Sequence, residues 1–238
     1  MPQDTASYED NVLVRCVIDK TKNYRSSVSN SPCGGEAAPW VAGLLAAYGE
    51  VWRPLNILDF GGAAGAHYHQ FAGKFPHVPL NWAVVETPAM ASYCAADPAL
   101  RPVRFYDSVA SATQALGTVD VVIASSSLQY TPDPMAALAE LLGLKARWLG
   151  ITRMPLWDGP VIRCMQRSTL SANGPGPLPP GFEDRMVEYP LVLPNIAAFQ
   201  NSLESQGYVR VLQTGEQPAG ITINGQPILQ YQWLFRRA

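Results

Sequence analysis

The stretch LNILDFGGAAG at 55–65 constrains this chain more than any other part of it. A short apolar run (Ile57, Leu58) ends in Asp59, and small residues follow at once: Gly61, Gly62, Ala63, Ala64 and Gly65. The next residues, AHYHQFAGKF, are able to start a helix. A strand, a tight small-residue turn and a helix N-terminus bring backbone close to a ligand. They also aim the free N–H groups of a first helical turn at it. A nucleoside-bearing cofactor is the natural guest of such a crevice.

The residues around this unit repeat the same alternation. Strand patterns are expected at 56–60, 81–86, 103–106, 119–125 and 146–152, with helices at 66–74, 88–94, 108–116 and 133–144. Asp133-Pro134 supplies an N-cap with proline at the first helical position. Such alternation makes a parallel sheet covered by helices on both faces. Upstream, 8–24 and 36–48 read as helices, with Pro39 tolerable only in a first turn, and 25–35 as loop. Residues 154–190 hold seven prolines and four glycines. That is too irregular for a crossover helix, so the segment is expected to be an insertion over the ligand edge. Near the end, a helix at 196–205 leads to a strand at 208–213, a Gly/Pro/Asn-rich connection and a strand at 228–235. Two strands joined without a helix pair antiparallel. The expected fold is therefore an α/β, Rossmann-like doubly wound sheet of seven strands, five parallel plus a C-terminal antiparallel hairpin. An N-terminal helical cap (1–54) precedes the core (55–238).

Composition narrows the function. The 238 residues are 47% hydrophobic and 15% charged, which suits a single compact domain, and the formal charge is −2. With no basic cluster beyond Arg236-Arg237, a nucleic-acid partner is not expected. Cys16, Cys33, Cys94 and Cys164 are far apart and lack CxxC spacing, so neither a metal site nor a disulfide framework is expected. The acidic start MPQDTASYED and the short apolar run at 40–48 argue for a cytoplasmic protein without a membrane segment.

Several polar residues stand where this fold meets its ligand. Glu86 closes the second strand 21 residues after Gly65, the spacing of an acid that reaches ribose hydroxyls; the competing reading is a solvent-facing strand end. Asp107 ends the third strand and either accepts from an adenine amino group or caps the following helix. The fourth strand leaves through Ser125, Ser126 and Ser127.

In these pieces the chain resembles the class I S-adenosylmethionine-dependent methyltransferases. It is most similar to a group of largely uncharacterised bacterial proteins of that kind, through ILDFGG at 57–62, FYDS at 105–108, SSSLQY at 125–130 with Asp133-Pro134, and Arg153-Met154-Pro155 after the fifth strand. The resemblance covers residues 55–155 well and the rest in outline. It implies that S-adenosyl-L-methionine is the cofactor and S-adenosyl-L-homocysteine the product. It places the methionine part against Asp59, Gly61, Gly62, Ala63 and Gly65, ribose at Glu86 and Thr87, adenine beside Asp107 and Ser108, and the cleft mouth at Ser125 and Ser126. Ala63 departs from the commonest pattern, which has glycine there.

The reaction so implied is in-line methyl transfer to a small-molecule acceptor, dominated by positioning. A general base is needed when the acceptor is an alcohol, amide or carbon acid. His67, His69 and Tyr130 are the catalytic candidates, and Gln129, Tyr130 and Arg153 the substrate candidates. Each has a plainer reading as a surface, core or ion-paired residue. His67 and His69 are two apart on a helix, so at most one faces the ligand, and they do not make a metal pair. Two other functions stay open. One is an NAD(P)-dependent oxidoreductase, since GGAAGA is a degenerate dinucleotide-binding pattern. The other is a cofactor-binding pseudo-enzyme that buries Trp40, Trp157 or Trp233 in a partner. Self-association into a homo-oligomer is equally open.

Overall fold

The computed structural model describes residues 8–238; the first seven residues of the expected helical cap lie outside the described residues. Five parallel strands form the centre: β1 (Leu55–Phe60), β2 (Leu80–Val85), β3 (Arg104–Tyr106), β4 (Val121–Ser125) and β5 (Trp148–Leu156). A two-stranded ribbon follows, β6 (Ile162–Thr169) with β7 (Met186–Leu193), and then a long antiparallel hairpin, β8 (Tyr208–Ile223) with β9 (Gln226–Arg237). Among the described residues the main sheet has seven strands in the order β3-β2-β1-β4-β5-β9-β8. The reversal between β1 and β4 opens a crevice at the strands' carboxyl ends, where open α/β sheets bind ligands.

Strand alternation splits the core into two layers. On one face, Ile57, Val84 and Ile123 meet Trp40 and Leu44 of α3 (Ala38–Tyr48), Phe71 of α4 (Ala66–Lys74) and Met90 of α5 (Pro88–Ala96). The same layer takes in Leu13 and Val17 of α1 (Asn11–Asn23). On the other face, Leu58, Ala83 and Val122 meet Val109 of α6 (Val109–Leu116), Leu138 of α7 (Pro134–Gly143) and Phe199 of α8 (Ile196–Ser205). Neighbours such as Ile57 and Leu58 thus serve opposite layers. Each large apolar side chain so buried contributes roughly 1.5–3 kcal/mol. Helix α3 sits tightly on the sheet, because a Cβ at Gly150 would lie 2.7 Å from Trp40 Cβ.

The structure corrects four expectations. The segment at 25–35 is not all loop: α2 (Arg25–Asn30) forms there, wedged so closely on α4 that a Cβ at Gly73 would lie 2.6 Å from Ser29 Cβ. Residues 154–190 are less irregular than their prolines suggest, since β6 and β7 pair along their whole lengths from Ile162–Leu193 to Thr169–Met186. The glycines and prolines concentrate in the link between them. The fifth strand does not end at Arg153-Met154-Pro155. Arg153 takes φ +52°, the register with β9 shifts between Ile151 and Met154, and the strand runs on to Leu156. The connection after 213 is itself strand, interrupted by register shifts between Thr214 and Gln217 and between Pro218 and Thr222; a further shift, between Arg210 and Leu212, lies within the expected strand. Trp40 and Trp233 are buried in the protein's own core, at 1% and 0% exposure, and are not available to a partner. Among the described residues, no helix is long and apolar enough to cross a membrane.

Candidate functional site

The crevice over the β1–α4 turn opens into a cleft of about 1190 Å³. Pockets for one small ligand run to roughly 300–1,000 Å³, so this one has room for a cofactor and an acceptor together. Its floor is the turn itself. Gly61 has φ +69°, and a Cβ there would fall inside the Ser127 side chain. A Cβ at Gly62 would fall inside the Asp59 carboxylate. Ala63 follows at φ +49° and lines the cleft with them. Gly65 lies behind the turn at φ +84°, against Val103, and does not line the cleft. Helix α4 then starts with no side chain capping its first N–H groups.

The acids divide into two kinds. Asp59 is fully buried and absent from the cleft wall; its oxygens accept from Trp82 Nε1 at 3.2 Å and lie 3.1 Å from His67 Nδ1. Glu86 does line the cleft, accepting Ala63 N–H at 2.8 Å on Oε1 and Thr87 N–H at 3.0 Å on Oε2. Burial pushes its carboxyl above the usual range, while those two N–H groups pull the other way. A carboxylate has about four lone-pair sites, so acceptor capacity remains for sugar hydroxyls. Thr87 also lines the cleft, and its hydroxyl donates to the Tyr8 carbonyl at 3.3 Å. Asp107 is exposed on the same wall and is not the helix cap; Ser108 caps α6 instead, accepting from Ser111 N–H at 3.3 Å, and stays off the wall.

At the end of β4, Ser125, Ser126 and Ser127 all line the cleft. Ser125 Oγ accepts from Thr152 Oγ1 at 2.8 Å and from Arg153 Nε at 3.3 Å. Ser126 is held at φ +55°, with its Oγ accepting from Gln129 Nε2 at 3.1 Å. Ser127 Oγ is buried without a hydrogen-bond partner among the described residues. Gln129 is not brought to the site: it is 2% exposed, off the wall, and ties Ser126 to the Arg153 carbonyl at 3.2 Å. Arg153 lines the cleft and lies 3.7 Å from Glu36 across it.

His67 lines the cleft, whereas His69 turns into the core, 7% exposed, where burial pulls its imidazole down to about 4. Tyr130 is on the wall and donates to Gln166 Oε1 at 3.1 Å; burial raises its phenol. Its ring joins Tyr8 at 5.2 Å and Tyr189 at 5.3 Å between centroids. Gln166, Ser168, Asn173 and Tyr189 of the β6–β7 segment roof the cleft, with Glu9 and Glu36 from the N-terminal part. None of these carries a local motif. The buried Lys20 of α1 holds the roof, donating to the carbonyls of Ser171 and Asn173 at 2.6 and 2.7 Å. Desolvation lowers its ammonium below the ordinary lysine value. Among the described residues no cluster of His, Cys, Asp or Glu is arranged to hold a metal ion.

No family model matches the chain, and no curated protein sequence does. Solved structures do. The N-terminal domain of EvdMO1, crystallised with S-adenosylhomocysteine and D-fucose, matches at TM-score 0.52 and 13% identity, over 86% of this chain and 85% of that one. An S-adenosylmethionine-dependent methyltransferase from Clostridium acetobutylicum matches at TM-score 0.50 and 12% identity, over 84% and 92%. At these identities the likeness defines the fold: the Rossmann-like sheet of class I methyltransferases.

Proposed function

We propose that this chain transfers a methyl group from S-adenosylmethionine to a small-molecule acceptor. The observation that carries the reading is the turn at Gly61-Gly62-Ala63 joined to Glu86. The wall acid is bonded to the turn's own backbone, so a nucleoside's sugar and the group beyond it are positioned by one rigid unit. The residues fit the cofactor on one further count: Ser127, on the cleft wall, offers a buried hydroxyl without a hydrogen-bond partner among the described residues. When bound, S-adenosylmethionine supplies a methyl group on a sulfonium, open to in-line displacement.

Gly61, Gly62 and Ala63 would take the methionine part, Glu86 and Thr87 the ribose, and Asp107 the adenine amino group. Ser125, Ser126 and Ser127 would stand near the reacting end. Asp59, Gly65, Ser108 and Gln129 support the site from behind. Tyr130 and Arg153 would border the acceptor. The β8–β9 hairpin next to β5 favours this reading over a dinucleotide oxidoreductase. A cytoplasmic location, the absence of a nucleic-acid partner and a helical cap over residues 1–54 belong to the same proposal.

Calorimetry tests it directly. S-adenosylhomocysteine is expected to bind with a Kd on the order of 1–10 μM, about −7 to −8 kcal/mol, with NAD⁺ and NADP⁺ giving no heat. Binding of either dinucleotide in preference would replace this function with the oxidoreductase.

A further inference from the structure

We infer that His67, held by Asp59, is the general base of this reaction and that the acceptor is an uncharged hydroxyl compound; the inference rests on the methyltransferase reading above. Both Asp59 oxygens lie 3.1 Å from His67 Nδ1, and Trp82 Nε1 donates to Oδ2 at 3.2 Å. A carboxylate only accepts, so the neutral imidazole carries its proton on Nδ1 and keeps a lone pair on Nε2. The ring lines the cleft, with a tilted Trp40 ring 5.3 Å away limiting its rotation. Gly62 makes the arrangement possible, because a side chain there would displace the carboxylate. Of the three histidines in the chain, His67 is the one on the cleft wall.

The charges on the wall select the acceptor. Among the described residues the cleft is lined by no lysine and by one arginine, Arg153, whose guanidinium is already engaged by Ser125 and Glu36, so no cation there is open to an anionic acceptor. A neutral amine attacks with its own lone pair, while a hydroxyl gains from proton removal as it attacks. In the step inferred, the acceptor O–H bond breaks and its proton passes to His67 Nε2. The oxygen bonds to the methyl carbon, and the pair of the broken carbon–sulfur bond stays on sulfur. The imidazolium, facing the Asp59 carboxylate, later releases the proton to water.

The first test needs no turnover. Long-range ¹H–¹⁵N spectra of the S-adenosylhomocysteine complex, assigned with His67→Gln, are expected to show His67 protonated on Nδ1 and bare on Nε2. A proton on Nε2 overturns the inference. Asp59→Asn, which keeps the shape of the partner, is expected to shift this tautomer and cut turnover while the protein stays folded. An unchanged tautomer and turnover in that variant count against the dyad. The second test supplies methyl α-glucoside and catechol as hydroxyl probes and benzylamine as the amine. Methyl transfer is expected to the hydroxyl probes, falling about 10²–10⁴-fold in His67→Gln. Affinity for S-adenosylhomocysteine should change less than threefold, and added imidazole should restore part of the activity of His67→Ala. Transfer to benzylamine alone, transfer to none of the probes, or a tenfold loss of product affinity in His67→Gln refutes the base role. Failure of the wild-type protein to bind S-adenosylhomocysteine refutes the underlying function instead.

Discussion

The floor and the roof of the cleft are built by different physics. The floor is one continuous segment, β1 through the first turn of α4, whose backbone is clamped between Ser127, the Asp59 carboxylate and Val103. The roof is assembled from distant parts of the chain, through polar contacts. Lys20 reaches residues 151 and 153 positions away, and Arg185 pairs with Asp10 at 2.7 Å. Close packing tolerates little change, whereas scattered hydrogen bonds each contribute only about 0.5–1.5 kcal/mol net. The floor should therefore be rigid and easily broken by one atom, and the roof separately adjustable.

The sharpest way to break this contrast is Gly61→Val. A positive φ and a collision with Ser127 are expected to cost about 3 kcal/mol in urea unfolding and to remove S-adenosylhomocysteine binding. A variant that keeps both would show that the floor yields. Next comes acid, acting through His69 behind that floor. Its value of about 4 lies below the ordinary 6.5, so below pH 6.5 the unfolded chain takes up a proton that the folded chain refuses. Stability should fall from pH 6.5 to about 4, by about 2 kcal/mol less in His69→Gln than in the wild type. Equal falls would place the acid sensitivity elsewhere.

In the roof, Lys20→Met leaves two carbonyls without their donor and is expected to cost about 1–2 kcal/mol. Limited proteolysis within residues 171–184 should accelerate while S-adenosylhomocysteine still binds. Loss of binding would mean that roof and floor are coupled. Glu86→Gln keeps the shape but removes the charge that accepts Ala63 and Thr87 N–H, and should weaken binding about tenfold, or 1.4 kcal/mol. The smallest effect is expected for Arg153→Gln. Its side chain is 38% exposed and its Glu36 contact long, so stability should move by less than about 0.5 kcal/mol.

The same contrast explains what could be read from sequence. Floor geometry is local, so strand, glycine turn and helix could be read from 55–74, and α4 and α8 have the bounds that periodicity predicts. Glu86 was reachable because its distance from Gly65 is set by one helix and one strand. Roof residues such as Asn173 and Ser168 obey no local pattern; their place depends on Lys20 and Tyr189 meeting them in space. Helix α2 has no local signal, because RSSVSN lacks an apolar stripe and is held by Gly73 of its neighbour. Gln129 departs from its expected place for a related reason. Its turn sits at the cleft, but its side chain faces inward to satisfy the Arg153 carbonyl at the β5 bulge.

At the margin of the sheet, β8 leaves one side of a 16-residue strand without a neighbouring strand among the described residues and exposes Val209 and Val211. A flat ribbon of that length invites other molecules to add strands and aggregate. Its three breaks in register, with Pro218 among them, twist the exposed rim and withhold an even ladder of donors and acceptors. Straightening that rim should therefore lower the concentration at which the protein remains dispersed.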